Sequence, residues 1–161
     1  MPTKLQKIIS GGQTGADRAA LDAAIESGCK TGGFVPKGRW AEDGAISSKY
    51  KRLTETDSDD PAERTRLNVI HSDATLIFSH GKLAGGSMLT WRIARNERKP
   101  CLHIDLNKNS DSAAVDKIVL WMRTTEIREL NVAGPRASKD PGIYTAVKSV
   151  LTEVLDSLSS S

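Results

Sequence analysis

"KIISGGQTGADRAALDAAIESG", residues 7–28, runs from an apolar pair, Ile8 and Ile9, through a glycine-rich turn, Ser10 to Gly15, into a helix-prone segment from Ala16 to Ile25. The order is strand, glycine turn, helix, with Leu5 extending the strand to residues 5–9. At such a junction the turn amides and the first helical N–H groups have no internal partner, and the helix dipole adds roughly half a positive charge. An anion, most often a phosphate, is the natural occupant. The spacing GGxxG lacks the lysine of a P-loop and does not fit GxGxxG. Taken alone it is equally a turn whose backbone needs positive φ.

The same grammar returns twice. "ATLIFS", residues 74–79, is an apolar run of the kind buried on both faces of a parallel sheet; it leads into "HGKLAGGS", residues 80–87, and a helix over 88–98. "LNVA", residues 130–133, leads into "GPRASKDP" and a final amphipathic helix from about Pro141. Between them lie a strand at 101–106 and a helix with Ala114, Ile118, Trp121 and Met122 on its apolar face. Nearer the N-terminus, a short strand at 33–35 precedes a polar loop over 37–50, an edge strand at 53–55 and a helix announced by Asp60 and Pro61. Unstructured loops longer than about 12 residues are usually functional or disordered. This one carries Lys37, Arg39, Glu42 and Asp43 beside Trp40, and is read either as an ordered lid or as solvated surface.

Strands alternating with helices predict an α/β fold, a mostly parallel sheet with helices on both faces. In such a sheet the loops Gly11 to Gly15, Gly81 to Ser87 and Gly134 to Asp140 all lie at the carboxyl ends of strands, where ligands bind at a topological switch point. Three such loops favour a small phosphate-bearing ligand over a purely structural explanation. With 161 residues and no repeat, one domain is expected over 1–158, with a frayed tail at 159–161. The 23 Lys and Arg stand against 20 Asp and Glu, and aromatic content is 4%, so nucleic acid is not an expected partner and neither is a membrane. Cys29 and Cys101 form no CxxC pair and the N-terminus has no apolar signal core, which predicts the cytoplasm. His71, His80 and His103 lack metal-ligand spacing, so no protein-ligated metal is expected; His80 stands out only for its place beside a glycine loop.

"SGGQTGADRAALDAA", "PKGRWAEDGAI", "RTRLNVIHSDATLIF" and "AGGSMLTWRIA", with "KPCLHIDL", resemble the circularly permuted YpsA-like family, whose members are labelled molybdenum carrier proteins, within the superfamily of Lonely Guy and DprA proteins. The resemblance covers nearly the whole chain and implies a Rossmann-like three-layer sandwich. Lonely Guy enzymes open on a strand and glycine-serine loop similar to "NVAGPRASKDPGIYTAV", which here lies at the C-terminus, and continue with a GGGxxG unit similar to Gly11 to Ala24, here at the N-terminus. The rotation implies the sheet order 33–35, 5–9, 130–133, 74–79, 101–106. Their PGGxGTxxE signature falls on Ala84 to Arg92 or Ile93, and neither residue can replace its glutamate as a base.

The resemblance implies a carrier of molybdenum cofactor, a related pterin phosphate or another nucleotide-like ligand. The cofactor's metal is held by the pterin's sulfurs, so the protein need supply none. The ligand-binding set is Gly11, Gly12, Gln13, Thr14, Gly15, Arg18, Gly85, Gly86, Ser87, Thr90, Gly134, Arg136 and Ser138, with Lys37 and Arg39 closing over it. The alternative is an enzyme acting on a nucleotide or ADP-ribose-like substrate, with Asp17, Glu42, Asp43 or Asp73 as acid or base. Asp17 and Asp43 facing each other across a ligand-sized gap would favour it. A homo-oligomer, dimer or tetramer, is expected from the family and from Trp91, Trp121 and Met122 on generous apolar faces.

Overall fold

The computed structural model describes residues 5–160. Six parallel strands form one sheet in the order β5 (Leu53–Glu55), β2 (Lys30–Val35), β1 (Lys7–Ile9), β8 (Glu129–Ala133), β6 (Ala74–Ser79), β7 (Cys101–Asp105). The C-terminal strand therefore lies inside the sheet, Leu130 opposite Ile8 on one side and Ala74 on the other. This is the order the permutation predicts, with β5 added at the edge.

Helices cover both faces of the sheet. On one face α1 (Ala16–Glu26), α4 (Asp111–Thr125) and α5 (Ile143–Ser159) bury alanines 16, 19, 20, 23 and 24, Ile118, Val147 and Leu151 against Ile8, Leu76, Phe78 and Leu130. The alanine stripe is what lets α1 approach closely. The other face carries α2 (Pro61–Ile70) and α3 (Gly85–Asn96). There the Asn68 side chain accepts from the Phe34 amide at 2.7 Å and donates to the Phe34 carbonyl at 3.0 Å, fastening α2 to β2. Asp60 caps α2 through the Ala62 amide, with Pro61 in the first turn as the sequence predicts.

Several boundaries differ from expectation. Strand β2 begins at Lys30 because Gly32 and Gly33 are paired residues; a Cβ on Gly33 would lie 2.2 Å from the Ser10 carbonyl, so the glycine permits two backbones to meet. Helix α3 starts three residues early, its glycines forming the first turn, and ends before Arg98, which takes φ 55°. The final helix starts at Ile143, after a turn in which the Ile143 amide donates to the Asp140 carbonyl. It runs through Ser159, with Ser160 at its C-terminal cap; residue 161 lies outside the described residues. Met122 lies in the core, and Trp121 is half-buried against it. Among the described residues no helix is long and apolar enough to cross a membrane.

Candidate functional site

The first glycine loop is already filled by the protein. The Gly12 amide donates to Ser10 Oγ, the Gln13 amide to Asp17 Oδ2, the Thr14 amide to Gln13 Oε1 and the Ala16 amide to the Pro135 carbonyl. Four of the donors that the sequence offers to an anion, the amides of Gly12, Gln13, Thr14 and Ala16, thus have acceptors of their own, one of them a carboxylate. Gly15 and Gly134 are there for close packing between loops. A Cβ on Gly15 would lie 2.4 Å from the Pro135 carbonyl oxygen, and one on Gly134 would lie 2.6 Å from Ala16 Cβ.

Over this loop lies a two-stranded ribbon, β3 (Trp40–Ala41) and β4 (Gly44–Ala45), formed by the segment that the sequence left between lid and surface. Ala41 and Ile46 point inward to Leu21, Val35 and Tyr50. At its tip the Glu42 carboxylate accepts from the Thr14 hydroxyl and from the Ser138 amide and hydroxyl. Those hydroxyls, Ser138 first, hold the Glu42 carboxyl below the usual range. The Glu42 amide donates to Gln13 Oε1, and Arg18 grips both the Gly12 carbonyl and the Asp43 carboxylate. Arg39 turns away from the loops, donating to the carbonyls of Ile46 and Ser47, and Lys37 is exposed outside the cleft. The ribbon is therefore fastened by Glu42 and Arg18, and the predicted pair of closing cations is absent from the site.

Beside the filled loop, at the same edge of the sheet, a cleft of about 530 Å³ opens between α2, α3 and the loop after β8. Its wall contains Gly85, Gly86, Ser87 and Thr90, with Gly134, Arg136 and Gln13 opposite. No side chain caps α3, and the amides of Gly85, Gly86 and Ser87 take no acceptor among the described residues. Gly85 and Gly86 are exposed toward the cleft, and Ser87, 7% exposed, has a hydroxyl without a partner among the described residues. The Thr90 hydroxyl is used within the helix, on the Gly86 carbonyl. Lys82, Arg136 and Lys139 line the cleft without an ion-pair partner among the described residues. Open helical amides, a dipole and three cations are the chemistry that suits an anion. A neighbouring groove shares Ala62 and Leu89 with the cleft but carries Glu55, Asp57, Asp60 and Glu63, which repel an anion.

The carboxylates expected to act as bases are scattered. Asp17 lines the cleft but is buried and lies 3.3 Å from Arg64 Nη1; burial raises its pKa, against the pull of Arg64 and the Gln13 amide. Asp43 is on the ribbon, outside the cleft, paired with Arg18. Asp73 lies at the opposite edge of the sheet, where it accepts from the amides of Arg128 and Glu129 at the start of β8. Asp17 and Asp43 therefore do not face each other across the ligand space. The pair that does reach the cleft is His80 and Asp140, with Nδ1 2.7 Å from Oδ2. Such a carboxylate contact fixes which ring nitrogen carries the proton and leaves Nε2 as the available base.

Arg64, Lys82, Lys139 and Asp140 were not expected in the site. Lys82 and Lys139 stand inside the second and third glycine loops, whose glycines and hydroxyls carry the local signal in the sequence. Arg64 lies against Gly11, where a Cβ would come 2.1 Å from its Nη1, and its Nε is buried without a partner. Its signal was its position, in the first turn of the helix before the most buried strand. Among the described residues no cluster of His, Cys, Asp or Glu could hold a metal ion.

Residues 8–155 match the family described as "Circularly permutated YpsA SLOG family". A solved structure from Syntrophus aciditrophicus SB named "Putative molybdenum carrier protein" is 51% identical, covers 96% of this chain and 98% of its own, and superposes with a TM-score of 0.93. A second, (E)-4-hydroxy-3-methyl-but-2-enyl diphosphate reductase, at 14% identity and a TM-score of 0.41, covers 92% of this chain and 59% of its own and is too remote to inform fold or function. Among curated proteins none matches.

Proposed function

Because the chain belongs to the circularly permuted YpsA SLOG family, we propose that it is a carrier or binding protein for a phosphate-bearing, nucleotide-like or pterin ligand held in this cleft. The observation that carries the reading is the start of α3. The free amides of Gly85 to Ser87 face a cleft whose cationic side chains are Lys82, Arg136 and Lys139, and the Ser87 hydroxyl adds a further donor. Phosphate oxygens are acceptors only, so this arrangement suits a phosphoryl group and disfavours a neutral or cationic head. The name of the 51% identical neighbour supports molybdenum cofactor as one member of this ligand class. The donor set fits that cofactor's phosphate, and the pterin would supply the metal's sulfur ligands.

Calorimetric titration with ribose 5-phosphate tests the reading. Binding is expected for the native chain and a loss of about tenfold or more in affinity when Arg136 and Lys139 are both changed to alanine, since charge-assisted contacts are the stronger hydrogen bonds. Equal affinity in the double variant would overturn it.

The second reading, an enzyme on a nucleotide or ADP-ribose-like substrate, is favoured by the His80–Asp140 pair. An imidazole oriented by a carboxylate in a phosphate cleft is equipped to take a proton. Incubation with nucleoside monophosphates and ADP-ribose separates the two. A carrier releases no product, whereas turnover lost in His80→Gln would establish an enzyme.

A further inference from the structure

We infer that Trp40 is the stacking plate for a planar heterocycle on the ligand, so that the ribbon reads the ring while α3 holds the phosphate. This rests on the binding reading above. Trp40 lines the cleft and is 40% exposed, although its strand neighbour Ala41 is buried in the small core under the ribbon. Strand alternation sends one side chain in and the next out, and the outward one here is the largest apolar side chain available.

A tryptophan on a loose loop would lose much of its binding contribution to ordering. This one is held beforehand. Glu42, two residues on, is anchored to Thr14 and Ser138, and Asp43 to Arg18; on the other side Arg39 is tied to the carbonyls of Ile46 and Ser47. The same cleft presents Pro61, Ala62 and Leu89, the last 37% exposed, so apolar surface is available beside the cations. Its volume lies within the range of small-molecule sites, roughly 300–1,000 Å³. A phosphate alone would need neither the indole nor the apolar wall. A molecule with a phosphate at one end and a flat aromatic ring at the other uses both.

Ribose 5-phosphate and AMP, titrated calorimetrically into the whole protein, Trp40→Ala and Trp40→Phe, test the inference. AMP is expected to bind the native protein about tenfold more tightly than ribose 5-phosphate, in line with the worth of one base stacked on an aromatic side chain. Trp40→Phe should keep most of that gain. Trp40→Ala should lose it, with ribose 5-phosphate affinity and thermal stability unchanged because the side chain is outside the core. Ribose 5-phosphate and AMP binding the native protein equally would overturn the stacking plate while leaving the phosphate cradle in place. Equal affinities of AMP for the native protein and Trp40→Ala would do the same. If ribose 5-phosphate failed to bind while AMP bound through Trp40, the cradle would fall and the plate would stand.

Discussion

Gly15 and Gly86 both stand at the start of a helix at the carboxyl edge of the sheet, and they answer to different constraints. Gly15 has φ 79° and backbone atoms of the loop after β8 pressed against it. Gly86 has open space where a Cβ would go. Gly15→Ala is therefore expected to cost about 2 kcal/mol in strain and displaced backbone, lowering Tm by roughly 4–8 °C in a thermal melt. Gly86→Val is expected to change stability by less than about 1 kcal/mol, while its side chain fills the mouth of the cradle and weakens ribose 5-phosphate binding at least tenfold. The reverse pattern would mean that the two loops have exchanged roles. In sequence the glycines look alike, because what distinguishes them is the Pro135 carbonyl, 120 residues away, and the side chains of Ser10, Gln13 and Asp17 that take the first loop's amides. Glycine spacing reports that a backbone must bend or be approached. It does not report what approaches it.

At the scale of elements, the ribbon connects sequence to site. Its acidic tip was legible as charge, but Glu42's partners come from two distant loops, and no local pattern reveals that a carboxylate of the chain lies on donors expected to serve a ligand. Asp22 fixes the ribbon's far end, accepting from the hydroxyls of Tyr50 and Tyr144. Burial raises its pKa, but the two tyrosines and Lys49 outweigh this and hold it low; burial first, and then the Asp22 carboxylate, push Tyr144 up to about 12. For both Glu42 and Asp22 the folded pKa is depressed, so each contributes stability that is fully present above the unfolded carboxylate values of about 4 and lost as pH falls through the lower folded values. The fluorescence of Trp40, read by difference against Trp40→Phe, should be flat from pH 7 to about 5 and change only below about 4. A change centred near pH 6 would contradict this account of what fastens the ribbon. Glu42→Gln should raise amide hydrogen exchange across residues 40–45 and leave the sheet protected.

At the scale of the whole molecule, the permutation was the most legible feature. The strand-loop-helix units could be matched one by one, and β8 inside the sheet follows from their order; the depth of Ala74–Ser79 followed from its unbroken apolar run. The cleft was less legible, since it is assembled from four separate segments that only the finished sheet brings together. The permutation also predicts that chain order is incidental. A variant beginning at Ile127, with Ser160 joined to Leu5 by a short flexible linker, should fold and bind ribose 5-phosphate, because α5 follows β8 and returns toward the amino edge of the sheet, where the neighbouring parallel strand β1 begins, and closing a short loop changes the entropy cost by only about 1 kcal/mol. An unfolded chain by circular dichroism would show that the present order of elements is required.

The central claim is that the open anion site belongs to α3 and that the first glycine loop is filled by the protein itself. A crystal structure of the whole protein with AMP tests it most directly. The account predicts the phosphate on the amides of Gly85, Gly86 and Ser87, with Arg136 and Lys139 turned toward it and Glu42 still on Thr14 and Ser138. A phosphate on the amides of Gly12 to Gly15, with Asp17 or Glu42 displaced to admit it, would contradict it.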